Sequence, residues 1–145
     1  MPTALISVEI VVGVLVGVVC VALAGVFIRR RIIAGGKLLT LCGLRRADGG
    51  RWRLGLARFG STQLEWFTLM GLTLRPRHTW DRVGLDLDAP ATLDGLDRID
   101  LLPEAVGVRC YYGKVEFDLA VQPPAYTALR SWLEAAPPGS TANVA

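Results

Sequence analysis

The chain has 145 residues, 52% of them hydrophobic and 20% charged, with a formal net charge of +3 and a mean hydropathy of +0.40. That balance is too apolar for an ordinary soluble domain and too charged for a chain wholly embedded in lipid. A single histidine, no nucleophile motif and no close cysteine pair exclude a recognisable catalytic triad or zinc site, and the expectation is a protein that is not an enzyme.

The apolar excess lies at the N-terminus. The 19 residues from Ile10 to Ile28 carry no charge, and as an α-helix they span roughly 28 Å, enough for one bilayer crossing. A cleaved signal peptide competes with this reading. Against it, no Lys or Arg precedes the run, the run is longer than a signal core, and only Ala22 and Ala24 resemble a cleavage site. The expected organisation is an anchor over residues 1–31, a linker over 32–37, a β-rich domain over 38–136 and a disordered tail over 137–145. Arg29, Arg30, Arg31 and Lys37 all follow the apolar run. Basic residues beside a membrane segment stay in the cytoplasm, which predicts a single-pass inner (plasma) membrane protein with its N-terminus outside and its domain cytoplasmic.

Gly13 and Gly17 form a GxxxG pair, and Gly25 continues the same stripe. The stripe reads either as part of a plain lipid-facing anchor or as a helix-pairing face for a homodimer or a membrane subunit. Glu9 sits at the outer edge, where a carboxylate reaches the interface at little cost. Cys20 falls in the anchor, while Cys42 and Cys110 read as buried, small apolar residues of a reducing compartment.

After the glycine pair, "KLLTLCGLRR" reads as a strand, and "ADGG" turns it into "RWRLGLARF". There Trp52, Leu54 and Leu56 alternate with Arg51, Arg53 and Gly55, which assigns the first set to the core. "LEWFTLMGLTL" is apolar on both faces and is expected to be covered on both. His78 in "RPRHTWDR" reads as a loop residue, and Trp80, beside charges, as a candidate for the membrane interface. "VGLDLDAP" alternates again, with Val83, Leu85 and Leu87 inward, and Pro90 ends it. Residues 91–105 are compatible with a strand, a short helix or a loop. "VGVRCYY" then turns through Gly113 and Lys114 into "VEFDLAV", with Val115, Phe117, Leu119 and Val121 inward and Glu116, Asp118 and Ala120 outward. "PPAYTALRSWLEAAPP" is an amphipathic helix opened by proline, with Tyr126, Leu129, Trp132 and Leu133 on its apolar face.

About seven short antiparallel strands closed by one C-terminal helix resemble the pleckstrin-homology-like superfold. The fold class expected is therefore one N-terminal transmembrane helix plus a mainly β domain, a bent antiparallel sheet or barrel with a C-terminal α-helix. The glycine-bearing anchor, the "RRADGGRWRLGLARF" block and the "YTALRSWLE" helix together resemble an uncharacterised actinobacterial family of small single-pass membrane proteins. That family is catalogued as a domain of unknown function, and its genes commonly stand beside the ATP synthase epsilon-subunit gene. The resemblance implies a link to energy metabolism or the cell envelope and supplies no functional residue.

Charge is divided unevenly. Residues 29–82 hold 12 Lys or Arg against 3 Asp or Glu, a net of +9, and residues 83–134 hold 4 against 9, a net of −5. Arg29, Arg30, Arg31, Lys37, Arg45, Arg46, Arg51 and Arg53 are the candidate anion- and lipid-binding residues. The order Lys37, gap, Arg51-x-Arg53 is similar to the pattern with which phosphoinositide-binding pleckstrin-homology domains hold phosphates. The alternatives are a solvated basic face that only adheres to the bilayer and a defined headgroup site. Asp94, Asp97 and Asp100 form an acidic edge without the spacing of a calcium loop. Trp52 and Trp132 fall on expected core faces. No cofactor, metal or nucleic-acid partner is expected. The function expected is a membrane-anchored scaffold with a protein partner on its acidic side. The alternatives are an assembly factor of a membrane complex such as ATP synthase, and an envelope-facing domain of reversed topology.

Overall fold

The computed structural model describes residues 2–37 and 39–135. The expected tail, residues 137–145, lies outside the described residues. The chain forms two compact units, Met1–Gly36 and Lys37–Ala145.

The first unit is a helix, α1, Pro2–Ala34. At 1.5 Å per residue it is about 50 Å long. Every described side chain from Leu5 to Ile28 is exposed, so the apolar surface runs around the whole helix instead of along one stripe, as in a segment whose solvent is lipid. The span Leu5–Ala34 is long and apolar enough to cross a membrane. α1 continues through Arg29, Arg30 and Arg31 and takes in residues 32–34 of the expected linker. Arginine is a good helix former, and the helix stops where Gly35 and Gly36 adopt positive φ.

The second unit is an antiparallel sheet with one helix against it. Its strands are β1 (Leu39–Arg46), β2 (Arg53–Phe59), β3 (Gln63–Thr68), β4 (His78–Asp81), β5 (Leu85–Leu87), β6 (Ala91–Thr92), β7 (Val106–Tyr112) and β8 (Val115–Val121). The helix α2 covers Pro123–Glu134. Hydrogen-bonded neighbours run β4-β3-β2-β1-β8-β7-β5, with β6 paired to β7. The two ends of this path, β4 and β5, are joined by a single 3-10 turn, Arg82–Gly84, so the sheet bends into a nearly closed barrel. Asp81 pins that corner, accepting from Gln63 Nε2 at 2.7 Å and from Tyr112 Oη at 3.1 Å. This strand order with a closing helix is that of a pleckstrin-homology-like domain.

The inner face holds the main core, in which Cys42, Leu44, Leu64, Trp66, Val108, Cys110, Phe117 and Leu119 are buried beneath Leu129 of α2. Trp132 fixes the helix by donating its indole N–H to the Gly60 carbonyl at 2.7 Å, while the Arg82 guanidinium lies over its ring. The outer face is also covered. The connection over residues 93–105 lays Ile99, Leu102 and Ala105 across Ala120, Leu41, Trp52 and Leu54.

Several expectations are corrected by this two-sided burial. Trp52 and Leu54 belong to the smaller outer cluster, and β2 turns Gly55 and Ala57 to the main core. Gly55 is required there, because a Cβ would collide with the Trp66 indole and the Phe67 carbonyl. Asp118 and Ala120, expected outward into solvent, are buried under the outer roof, and Val115, expected inward, is exposed. Val83 sits in the 3-10 turn and is exposed, leaving Leu85 and Leu87 to continue the row. His78 opens a strand, and Trp80 is buried with its ring stacked on Phe117 at 4.4 Å between centroids. The apolar run after β3 departs furthest from expectation. The strand ends at Thr68, and Met70, Leu72 and Leu74 project into solvent.

Candidate functional site

Antiparallel pairing gathers three turns at one end of the barrel: residues 47–52 between β1 and β2, residues 69–77 between β3 and β4, and Gly113–Lys114 between β7 and β8. The registers Leu44↔Arg53, Gly55↔Thr68 and Arg46↔Phe117 place these turns beside one another. Leu69 N–H donates to the Leu54 carbonyl at 3.3 Å and Arg77 N–H to the Trp66 carbonyl at 2.8 Å, which ties both ends of the 69–77 loop to this part of the sheet.

Side chains alternate along a strand, so Arg46 and Arg53 extend the inner row of Cys42, Leu44 and Gly55 beyond the point where the core ends. The floor beneath them is aromatic. Trp66, His78, Trp80 and Phe117 follow one another with ring centroids 5.7, 5.6 and 4.4 Å apart. His78 has its pKa lowered by partial burial and then by the positive charges of Arg77 and Arg53. Arg46, Arg51, Arg53, Arg75 and Arg77 are exposed and make no ion pair among the described residues. No acidic residue occurs between Glu65 and Asp81.

Arg45 points the opposite way. On the outer face its Nη2 lies 3.1 Å from Asp118 Oδ2 and its Nη1 2.7 Å from Asp97 Oδ1, with the guanidinium 4.4 Å from the centroid of the Trp52 ring. Arg109 reaches the same buried carboxylate from the other side, Nε to Asp118 Oδ1 at 2.9 Å, and its own pKa is raised by that bond. The three residues are cross-strand neighbours on β1, β8 and β7. A cleft of about 420 Å³ opens beside them, lined also by Asp88, Asp97 and Tyr111. Tyr111 Oη donates to Asp88 Oδ2 at 2.7 Å, which raises the phenol's pKa. Every guanidinium in this cleft is answered by a carboxylate.

The expected basic set is therefore divided. Arg46, Arg51 and Arg53 share the open end of the barrel, and Arg45 is held by Asp118 and Asp97 on the outer face. Lys37 precedes the opposite end of β1, so the register separates it from Arg51 and Arg53 by the length of that strand, about 26 Å. Arg29, Arg30 and Arg31 are part of α1. Gly13, Gly17 and Gly25 form an uncovered stripe on that helix, with nothing within 4 Å of where a Cβ would stand. Arg75 and Arg77 complete the basic end and were missed in the sequence. The signal was present, since Gly71 and Pro76 interrupt the apolar run and mark it as a loop instead of a strand. Cys42 and Cys110 are free and fully buried, and burial pushes the Cys42 thiol up to about 12 and raises Cys110 as well. Among the described residues, no group of three His, Cys, Asp or Glu is arranged to hold a metal. Asp97 serves Arg45, while Asp94 and Asp100 are exposed.

These features define a pleckstrin-homology-like domain in a chain that also carries a helix apolar enough to span a membrane. The chain belongs to the family described as Protein of unknown function (DUF2550), whose profile matches residues 15–139. No curated protein matches it. Among solved structures, the tandem PX-PH domains of Bem3 from Saccharomyces cerevisiae align with a TM-score of 0.42 and 18% identity, over 67% of this chain and 39% of that one. The fold assignment rests on the strand order above and not on that alignment.

Proposed function

We propose that this is a single-pass membrane protein of the inner (plasma) membrane whose cytoplasmic β domain is a non-enzymatic binding module for anionic lipid headgroups. The observation that carries the reading is the basic end: five exposed arginines on β1, β2 and the two turns beside them, none in an ion pair among the described residues and with Asp48 the one acid in those turns, in a domain whose other arginines are largely matched by carboxylates. Each basic side chain held at an anionic surface contributes about 1 kcal/mol, within a screening length of about 8 Å at physiological salt. α1 supplies the tether. The chain joins the domain at the start of β1, and the basic end lies at that strand's finish. Asp86, Asp88, Asp94 and Asp100 are then left for a protein partner, such as a subunit of a membrane complex.

The test uses the full chain in nanodiscs carrying nitroxide-headgroup lipids. Amide signals of the turns at residues 47–52 and 69–77 broaden when the discs contain phosphatidylglycerol, and recover in pure phosphatidylcholine or in the Arg46→Gln/Arg53→Gln/Arg75→Gln/Arg77→Gln variant. Equal broadening in both lipids, or none, overturns the reading. Orientation is read separately, from a reporter that fluoresces only in the cytoplasm fused after Ala145; a dark, well-expressed fusion moves the domain to the outer side.

A further inference from the structure

The 69–77 loop presents an apolar surface that the domain does not use. Met70 is 90% exposed, Leu72 95% and Leu74 51%. These side chains stand where the sequence reads as the second half of a buried strand, yet none of the described elements of the domain covers them. Single exposed leucines need no explanation, but three at alternating positions of one loop leave an apolar surface that is costly in water. Both ends of the loop are tied to the sheet by backbone hydrogen bonds at Leu69 and Arg77, so the apolar tip projects from a fixed base.

We infer that this loop inserts Met70, Leu72 and Leu74 into the hydrocarbon margin of the bilayer, while Arg75, Arg77, Arg46 and Arg53 remain at headgroup level. The inference deepens the headgroup reading above and rests on it. Three observations select the bilayer as the occupant. The apolar side chains share one end of the barrel with five exposed arginines, and the segment between Glu65 and Asp81 contains no acid, a charge pattern that matches anionic lipid. A second copy of the same end would set those cations against each other, which disfavours self-association through this surface. Only residues 35–38 separate the helix able to span a membrane from β1, so a bilayer is always within reach. An apolar tip beneath a basic collar is also how amphipathic segments divide themselves across a lipid interface. Headgroup attraction alone is screened by salt, whereas burial in hydrocarbon is not, so the loop converts a loose electrostatic association into a fixed orientation of the domain.

The test places an environment-sensitive fluorophore on the loop of the full chain through Leu72→Cys in a Cys20→Ser background, the buried Cys42 and Cys110 remaining protected. The protein is reconstituted in nanodiscs of equal parts phosphatidylglycerol and phosphatidylcholine, with nitroxides either on the headgroup or on the acyl chain. The expected result is loss of most of the emission with the acyl-chain quencher, a loss that persists in high salt and is largely reversed by Met70→Ser/Leu74→Ser. Because these residues are exposed, near-UV circular dichroism should be unchanged in the variants. Quenching by the headgroup probe alone overturns insertion and leaves the headgroup reading standing. Quenching by neither overturns both. A blue-shifted emission that neither probe quenches assigns the loop to a protein surface and also overturns insertion.

Discussion

Two groups of arginines occupy the β domain on different terms. Arg45 and Arg109 grip one buried carboxylate, Asp118, and so link β1, β8 and β7 across the outer face. Arg46, the next residue along β1, faces the other way and joins Arg51, Arg53, Arg75 and Arg77 at an end of the barrel where, among the described residues, none of them forms an ion pair. A guanidinium matched within the fold contributes to holding the fold; one left unmatched offers its field to something outside it. Adjacent residues of the same type thus separate into a structural clamp and a candidate contact surface, and strand alternation alone makes the difference.

That contrast predicts different consequences for substitution in the two groups. Asp118→Ala, which removes the buried carboxylate shared by Arg45 and Arg109, should destabilise the domain by about 2 kcal/mol. Urea unfolding of the full chain in detergent, followed by tryptophan emission, measures this. Arg53→Gln/Arg77→Gln should move the same midpoint by no more than about 0.5 kcal/mol; equal losses in the two variants would erase the distinction. Gly55→Ala strikes the floor shared by the core and the basic end, because its methyl meets the Trp66 indole and a backbone carbonyl, and should cost about 2 kcal/mol by the same measurement.

At the bilayer the ranking reverses. Arg53→Gln alone should shift the docking equilibrium of the domain on phosphatidylglycerol discs by about 1 kcal/mol, roughly fivefold, whereas Arg109→Gln should leave it nearly unchanged. The smallest effect is the most local. His78 should titrate below its ordinary 6.5, and Arg77→Gln should move it upward, as nuclear magnetic resonance of the imidazole would report. Since the unfolded chain binds that proton more readily than the folded one, the group's contribution to stability is present above pH 6.5 and is lost as pH falls toward the folded pKa. Docking on an anionic surface should raise the His78 pKa, whereas a domain that stays in solution leaves it unmoved.

Much of the architecture was legible along the chain. The uncharged run from Ile10 to Ile28 marked the apolar helix, the turn signals at residues 47–50 and 113–114 marked two hairpins, and Pro123 with Tyr126, Leu129 and Trp132 marked α2, because each rests on local periodicity or on a turn residue. β4 is not legible in the sequence because four residues, one of them His78, carry too short a pattern, and the apolar character of its partner strand runs on through Met70 to Leu74. The site was only partly legible. Arg46, Arg51 and Arg53 stand out as candidates in the sequence, but nothing local distinguishes them from Arg45 or brings Arg75 and Arg77 beside them.

By itself the sequence determined the apolar helix, the succession of short strands, the closing helix and the excess of positive charge before residue 82, all of which depend on neighbours a few residues away. Only the tertiary structure decided which charges remain unmatched and which apolar residues remain uncovered. Asp118 meets Arg45 across 73 residues of chain, and the Ile99–Leu102 roof converts a face that alternation assigned to water into a second core. The pleat sets the face on which a side chain emerges; what waits on that face is set by long-range pairing, which no local pattern encodes.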